Sequence, residues 1–257
     1  MRRLGVWCWL TAIPKFVAYD FDSTDGINYG ASTALALTGD LTTFCWCKPD
    51  TTPTGGALRA MLSKGGSTEA EEANFLFIHG MRESGGSVYW VAFHENGSGT
   101  NNQVLSTTTV VTGSWLPVVC IRDATANTYQ FVIDGSVESA QAYTNDPTGG
   151  TSTTMYVGRT ANAEHFDGCI AEAAVWNVAI TTAAAQSLCD GASPVLVAPH
   201  GLKFYDPLVR QTNDVFGLVG TNTGATVVAH TRMVYPSKQK VVYVPVVAGI
   251  PIFRRRR

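Results

Sequence analysis

Three aspartates near the start of the chain are the residues best suited to chemistry. Asp20, Asp22 and Asp25 bring three carboxylates together in sequence, and carboxylate oxygens are the ligands that Ca²⁺ prefers. Their spacing does not match an EF-hand loop, and no glutamate stands at the closing position of such a loop. The alternative is that the aspartates close turns through backbone amides. The cluster predicts a structural, non-catalytic calcium site, with turn closure as the alternative.

Motifs of the common catalytic sites are absent from the sequence. There is no E-x-D-x-x-E, which would place carboxylates on alternate positions of one strand, and no G-x-S-x-G, H-E-x-x-H or phosphate-cradling G-x-x-x-x-G-K. The five histidines, at positions 79, 94, 165, 200 and 230, are isolated from one another. No pair of residues has the character of a nucleophile and its base. We therefore expect a binding or assembly protein that has no enzymatic activity.

The composition limits the class of protein. The chain has 257 residues, of which 45% are hydrophobic and 15% are charged, and this length corresponds to one large domain or two small ones. No stretch approaches the ~18 consecutive apolar residues of a membrane-spanning helix, so we expect no membrane contact. Residues 231–257 contain seven basic residues and no acidic one, although the net charge of the chain is −2. The body is therefore acidic and the tail is basic.

Short β-prone runs separated by turn residues must position any site. Valine, threonine and aromatic residues cluster between groups of Gly, Asn, Asp, Ser and Pro, which is typical of antiparallel strands. Asp134-Gly135 tolerates the positive φ of a tight hairpin. One short helix is predicted at 181–189, with Thr181 or Thr182 as its N-cap and Gly191 beyond its end. The strands are predicted at residues 42–48, 57–62, 75–79, 88–94, 103–110, 115–122, 128–133, 154–158, 169–176 and 202–207. This pattern predicts an all-β, two-sheet antiparallel sandwich.

Several segments in order carry a family resemblance. They are LTTFCWCKP at 41–49, WLPVV at 115–119, YQFVIDG at 129–135, YVGR at 156–159 and FDGCIAEAAVW at 166–176. Together with residues 19–29, they resemble the laminin-G-like, concanavalin A-like lectin/glucanase jelly roll. The resemblance covers roughly residues 19–208. It implies that six large side chains of the strands are largely buried: Phe44, Trp46, Trp115, Phe131, Ile170 and Trp176.

The resemblance also implies two kinds of ligand. The family often holds a structural calcium ion near its opening segment and its Phe-Asp-Gly segment, which adds Asp167 to the predicted calcium ligands. Ala171 departs from the family, because an aspartate commonly precedes Glu172 there, and the site loses one expected ligand. Carbohydrate binding needs an aromatic platform with nearby polar groups. The candidates for that site are Tyr89, Trp90, His94, Asn96, Asn101 and Asn102, although a tryptophan placed like Trp90 is more often a core or sheet-face residue than a sugar platform.

The two ends of the chain favour an assembly role. The segment 209–236 resembles the part that follows such jelly rolls in structural proteins of tailed bacteriophages, and 241–253 is an apolar, β-prone strip. Because unpaired apolar strands promote aggregation, a partner or the body must cover this strip. The predicted assembly residues are Val241, Val242, Tyr243, Val244, Ile250, Ile252 and Phe253. We divide the chain into an N-terminal arm (1–18), a jelly roll (19–208) and a C-terminal extension (209–257).

The first functional hypothesis is a virion structural or capsid decoration protein. Its terminal arms would dock on other virion proteins or on copies of itself, and its location would be the virion. The alternative is a secreted or virion-borne lectin that binds host surface glycans. The four terminal arginines are a weak indication of nucleic-acid binding, since charged residues next to an aggregation-prone strip also serve to limit its aggregation. We therefore expect no nucleic-acid partner, and structural calcium is the one cofactor expected.

Overall fold

The structure is a computed structural model, which describes residues 17–65, 75–96, 100–148, 153–161, 164–209 and 211–230. These residues form two antiparallel β-sheets of nine and seven strands and one α-helix. The predicted all-β, two-sheet jelly-roll sandwich with one short helix is confirmed. The elements in chain order are β1 (Val17–Phe21), β2 (Gly26–Ala31), β3 (Leu41–Pro49), β4 (Leu58–Gly65), β5 (Phe77–Ser84), β6 (Ser87–Asn96), β7 (Thr100–Thr109), β8 (Leu116–Asp123), β9 (Thr128–Ile133), β10 (Ser136–Val137), β11 (Gln141–Ala142), β12 (Thr154–Val157), β13 (Gly168–Trp176), α1 (Thr182–Cys189), β14 (Leu202–Asp206), β15 (Thr221–Thr223) and β16 (Thr226–Ala229).

The order of the strands shows how the sandwich is connected. In the nine-stranded sheet the order is β10-β9-β8-β3-β13-β1-β16, with β11 paired to β9 and β14 to β13. In the seven-stranded sheet it is β15-β2-β12-β4-β5-β6-β7. The strands β15 and β16 lie in the segment that the sequence assigned to a C-terminal extension, yet they pair with β2 and β1. Part of that segment therefore completes the two sheets.

Turn chemistry and capping agree with the sequence. Asp134 and Gly135 have φ of 49° and 79° and join β9 to β10, as a tight hairpin requires. The Thr181 side chain accepts a hydrogen bond from the backbone N–H of Ala184, so Thr181 is the N-cap of α1. Gly168 has φ of 137°, and a side chain there would meet the carbonyl oxygen of Lys48. This glycine lets the chain turn sharply into β13.

The main core fills the space between the two sheets, and a second apolar cluster lies between the nine-stranded sheet and α1. Four of the six side chains expected in the interior are buried: Phe44, Phe131, Ile170 and Trp176. The other two, Trp46 and Trp115, are less completely buried than these four, and Trp46 packs against the second apolar cluster. Both contact the ring of His230, at centroid distances of 5.9 and 4.2 Å. The two indoles therefore form an aromatic cluster around the buried His230 ring.

The terminal segments that carry the assembly hypothesis lie outside the described residues. This holds for 1–16 and for 231–257, which include the predicted strip and the arginine tail. Within the described ranges, no helix has the length and apolar character needed to cross a membrane.

Candidate functional site

The outer face of the seven-stranded sheet collects side chains from four neighbouring strands. In β5 and β6 the register pairs Ile78 with Phe93 and Arg82 with Tyr89. In β6 and β7 it pairs Phe93 with Gln103. Because register partners in an antiparallel sheet project to the same face, these side chains share one surface. The alternate residues of the same strands point into the core between the sheets.

A pocket of about 270 Å³ lies on this face, and we call it the phenylalanine pocket. Its floor is apolar and consists of Leu58, Phe75, Ile78 and Phe93. The rings of Phe75 and Phe93 meet edge to face, with centroids 6.2 Å apart. These residues belong to a small apolar cluster that is separate from the main core. Phe75 and Phe93 are only 4% and 8% exposed, so most of their ring surface is covered within this cluster and a small part of it borders the pocket.

Polar side chains surround the apolar floor of the phenylalanine pocket. Arg82, Glu95, Asn101 and Glu164 line it. Glu95 is only 4% exposed, whereas Asn101, its register partner on β7, is exposed. Arg82 donates a hydrogen bond to the side-chain oxygen of Gln103. The pocket combines carboxylate acceptors, an amide and a guanidinium around an aromatic floor.

Two loops that close the phenylalanine pocket are fixed by hydrogen bonds. The Glu83 carboxylate accepts from the backbone N–H groups of Gly56 and Gly86, each at 2.6 Å. On the other side, the Glu164 carboxylate accepts a hydrogen bond of 2.7 Å from the Thr160 hydroxyl. The Glu164 carbonyl oxygen also accepts from the backbone N–H of Ala60 in β4. The walls of the pocket are thus tied to the sheet.

A second depression of about 350 Å³ adjoins the edge of the same sheet, and we call it the tyrosine pocket. It is lined by Ser84, Tyr89, Leu105, Ser106, Thr107 and Gln141. No side chain in this set carries a charge. Its aromatic member, Tyr89, is half-buried, so part of the ring faces the depression.

The structure divides the predicted glycan residues between the two faces of β6 and β7. Tyr89 lines the tyrosine pocket and Asn101 the phenylalanine pocket. Trp90, His94 and Asn102 have the opposite parity and are buried, with 0%, 0% and 6% exposure. This corrects the prediction for these three residues, because strand alternation sends their side chains inward. Asn96, at the end of β6, is also buried.

The inward residues form a polar network inside the sandwich. The His94 ring contacts the Tyr129 hydroxyl at 2.8 Å through Nδ1 and the Asn145 carbonyl oxygen at 2.6 Å through Nε2. Burial lowers the pKa of His94 to about 4, so this ring is neutral near pH 7. The Asn102 side-chain oxygen accepts from the backbone N–H of Thr144 at 3.0 Å. His94 and Asn102 therefore hold the loop after β11 in place.

The predicted calcium ligands fall at three separate places. Asp22 accepts hydrogen bonds from Thr24, and these bonds lower the pKa of the Asp22 carboxyl. Asp25 accepts from the backbone N–H of Asp22 at 3.0 Å, so both close the turn between β1 and β2. Asp167 forms an ion pair of 3.4 Å with Arg59.

Asp20 lies at a different place, beside Asp50 and Cys169. The Cys169 thiol donates to Asp20 at 3.4 Å, and Asp50 forms an ion pair of 3.1 Å with Lys48. One ligand atom from each of Asp20, Asp50 and Cys169 lies within 4.8 Å of the others. Because Ca²⁺ takes six to eight oxygen ligands, this group of two carboxylates and a thiol does not by itself make a calcium site.

Several residues of the candidate site were not expected from the sequence. Phe93 and Glu95 lie on a strand that was predicted, but the register that separates them from Trp90 and His94 was not recognised. Strict alternation along β6 groups Phe93 with Glu95 on one face and Trp90 with His94 on the other, although it does not indicate which face is external. Glu164 lies in the loop before β13 and carries no local sequence signal.

Comparisons with known proteins place the fold in a known superfamily. Residues 21–186 match the sequence profile of a laminin G-type family, described as the concanavalin A-like lectin/glucanases superfamily. Comparison with curated proteins finds no match.

Solved structures share the same architecture. One is a protein of Bacteroides ovatus to which carbohydrate binding has been provisionally assigned, with a TM-score of 0.63 and 17% identity over 86% of this chain and 61% of that chain. Another is the CBM40 module of the Ruminococcus gnavus IT-sialidase with α2,3-sialyllactose bound, with a TM-score of 0.53 and 13% identity over 67% and 96% of the two chains. A heptameric pentraxin of Limulus polyphemus gives a TM-score of 0.52 and 14% identity over 84% and 96%. At these identities the likeness shows the fold alone.

Proposed function

This chain belongs to the concanavalin A-like lectin/glucanases superfamily, and we propose that it is a carbohydrate-binding module whose ligand docks in the phenylalanine pocket. The observation that carries the proposal is a pocket in which the rings of Phe75 and Phe93 lie beside the polar side chains of Glu95 and Asn101. Pockets for small ligands combine apolar surface with a few well-placed polar groups, and this pocket offers both kinds, with more polar than apolar surface exposed.

The two parts of the pocket suit the two sides of a sugar. The C–H face of a pyranose ring packs against aromatic carbon, and the parts of Phe75 and Phe93 that border the pocket would supply it. Hydroxyl groups at the ring edge donate to carboxylates and accept from amides and guanidinium groups. Glu95, Asn101 and Arg82 would supply these partners. A buried carboxylate such as Glu95 gives the stronger, charge-assisted type of hydrogen bond.

Binding without hydrolysis is part of the proposal. Glycosidases need two carboxylates on either side of the scissile bond, one of them acting as a general acid. Glu95 and Glu164 are the two carboxylates of the phenylalanine pocket, and Glu164 accepts a hydrogen bond from Thr160. We assign both to holding the ligand. The carbohydrate-binding modules among the similar structures support this assignment.

The similar structures favour this function over the virion role that the sequence placed first. The structures described above include carbohydrate-binding proteins and no virion protein. The virion hypothesis depends on the terminal segments, which lie outside the described residues, and it stays a prediction. A secreted location, which accompanies the lectin hypothesis, is likewise a prediction.

Calcium binding stays a prediction with a narrower location. Asp20 and Asp50 lie close together, with Cys169, among the described residues. Asp22 and Asp25 close a turn, and Asp50 and Asp167 each form an ion pair. Thermal unfolding with added calcium and with a chelator tests the prediction. A calcium-dependent rise in midpoint that Asp20→Asn abolishes would support it, and an unchanged midpoint would leave turn closure as the role of the aspartates.

A glycan array followed by calorimetry tests the proposed function. We expect wild-type protein to bind a subset of glycans. Glu95→Gln should lower the affinity at least about tenfold, the scale of one hydrogen bond to a charged group, and Asn101→Ala by about three- to tenfold, the scale of one neutral hydrogen bond. Asn101 is exposed, so its replacement should leave the fold intact. Thr226→Ala, at an exposed position on the other sheet, is the control. Absence of binding across the array, or equal affinities for wild type and pocket variants, would refute the proposal.

A further inference from the structure

We propose that the tyrosine pocket is a second sugar subsite, so that the ligand is a neutral oligosaccharide that runs from the phenylalanine pocket across Arg82 to Tyr89. This inference rests on the proposed function, because it extends the same binding face. The inference predicts two properties of the ligand, its length and its charge, that the proposed function does not specify.

The two pockets adjoin across one pair of strands. Arg82 lines the phenylalanine pocket, Tyr89 lines the tyrosine pocket, and the two are register partners. Partners of this kind have Cβ atoms roughly 5 Å apart on one face of the sheet. Arg82 also bonds to Gln103 on β7, so its guanidinium is held across β6 between the pockets. A guanidinium has five N–H donors, and a chain of sugars passing over it would find hydrogen-bond donors at the junction.

The lining of the tyrosine pocket suits a neutral sugar. Tyr89 offers an aromatic surface, and Ser84 and Thr107 offer hydroxyl groups. The volume of about 350 Å³ lies at the lower end of the roughly 300–1,000 Å³ range of small-molecule pockets, and that of about 270 Å³ lies just below it. Each pocket alone therefore suits one or two rings, and the two together suit a longer chain.

At the tyrosine pocket, the backbone of the edge strand β7 is not available for pairing with an added peptide strand. The backbone N–H groups of Thr107 and Thr108 donate to the Glu138 carboxylate, each at 2.8 Å. The Gln141 side-chain amide donates to the carbonyl oxygen of Leu105 at 2.6 Å. An added strand needs free backbone groups along the edge, and here they are occupied. The depression therefore presents side chains and not backbone to a ligand.

The charge of the phenylalanine pocket disfavours acidic sugars. Its lining includes the carboxylates Glu95 and Glu164 and the single cation Arg82, and Arg82 is shared with Gln103. A sialic acid or uronic acid would bring a further carboxylate to a pocket with an excess of negative charge. The bound ligand is therefore of a different class from the sialyllactose seen in the R. gnavus module.

Calorimetry on the full chain with graded ligands tests the inference. The ligands are cello-, xylo-, manno- and galacto-oligosaccharides of one to four units, with α2,3-sialyllactose as the acidic comparison. We expect the affinity for the preferred series to rise with length up to three units. Tyr89→Ala should lower the affinity for the trisaccharide by about five- to tenfold, the scale of one aromatic contact, and should leave the monosaccharide affinity within about twofold.

Controls separate this inference from the proposed function. Asn101→Ala should weaken all lengths alike, and Phe216→Ala, an aromatic replacement at a 56% exposed position, should change none. Thermal unfolding checks that Tyr89→Ala folds, and Tyr89→Phe should retain the length dependence. Binding without length dependence, an equal loss for all lengths in Tyr89→Ala, or preferred binding of sialyllactose would overturn the inference while the proposed function stands. No binding to any sugar would overturn both.

Discussion

The hydroxyl of Tyr29 donates a hydrogen bond of 2.6 Å to the carboxylate of Asp206, and this bond joins the two sheets of the sandwich. Tyr29 lies on β2 of the seven-stranded sheet and Asp206 on β14 of the nine-stranded sheet. Both residues are buried. The second carboxylate oxygen accepts from the backbone N–H of Leu208 at 2.6 Å. Burial raises the pKa of Asp206 to about 7 despite these bonds.

This raised pKa gives the stability a measurable pH dependence. Folded Asp206 keeps its proton to about pH 7, whereas an unfolded aspartate loses it near pH 4. Its contribution to stability is therefore complete below the unfolded pKa and is lost as the pH rises through 7. By itself this group lowers the free energy of unfolding by ~1 kcal/mol between pH 6.5 and 8. The difference in the free energy of unfolding between wild type and Asp206→Asn, measured by chemical denaturation at each pH, should therefore change by about this amount over that range. A difference that does not change with pH would contradict the assignment.

Buried histidines act in the opposite direction at lower pH. Burial lowers the pKa of His79 to about 3 and that of His94 and His230 to about 4. Because unfolded histidines take up protons below about pH 6.5, these three contribute stability that is lost as the pH falls from 6.5 toward 4. Acidification removes the stability contributed by three histidines and restores that contributed by Asp206 alone. We therefore expect the free energy of unfolding to decrease as the pH falls below 6.5. His94→Gln should reduce the steepness of that acid limb, and an equally steep limb would count against the neutral, buried state of His94.

Arg122 is predicted to be essential for folding, although it lies far in sequence from its partners. Its guanidinium is completely buried and donates to the carbonyl oxygens of Leu37, Gly39 and Leu76 at 2.7 to 3.0 Å. Arg122→Met would leave these three carbonyls without a donor. We expect a loss of about 3–5 kcal/mol in the free energy of unfolding. Lys203→Met, at a half-buried position on β14, is the matched control and should change stability by less than about 1 kcal/mol.

The stability losses caused by replacing Trp176 and Trp115 should differ, because the two side chains are buried to different extents. Trp176 is fully buried, and its indole N–H donates to the carbonyl oxygen of Val197 at 3.0 Å. Trp176→Ala should therefore cost about 3–5 kcal/mol of stability. Trp115 is half-buried beside His230, so Trp115→Ala should cost only about 1–2 kcal/mol. Thermal and urea unfolding of the two variants measure this difference, and equal losses would contradict the lesser burial of Trp115.

The sequence predicted the local structure better than the long-range contacts. Residues 128–133 and the helix after Thr181 are found where their β-branched runs, alanines and cap predicted them, because those signals are local. The first two strands, β1 and β2, were not recognised, since the aspartates between them were interpreted as a metal loop. The bond between Tyr29 and Asp206 spans 177 positions, and no local pattern reports it.

The sequence placed part of the predicted glycan site on the correct strand and did not separate the two faces of that strand. The other members, Asn96, Asn101 and Asn102, fall outside the predicted strands and lie at the ends of β6 and β7 in the structure. Tyr89 and Asn101 line the pockets, whereas Trp90 and His94 point inward. An alternating strand with aromatic residues of both parities gives no indication of which face is external. Glu172 illustrates a second limit. It has a φ of 55° at an irregularity in β13, and such a bulge depends on the neighbouring strands and not on the sequence of β13 alone.

Glu138 is predicted to keep the edge of the seven-stranded sheet from pairing with other chains. Its carboxylate accepts from the backbone N–H groups of Thr107 and Thr108 on the edge strand β7, and an open edge is a template for association. Glu138→Ala should lower stability by about 1–3 kcal/mol and should produce concentration-dependent association in light scattering. Asp123→Ala removes a carboxylate that accepts from the backbone of Ala126 in a turn. Because that turn is not an edge, this control should lose stability without associating. If both variants associate, the association results from lower stability and not from an open edge. If neither associates, Glu138 does not prevent β7 from pairing with other chains.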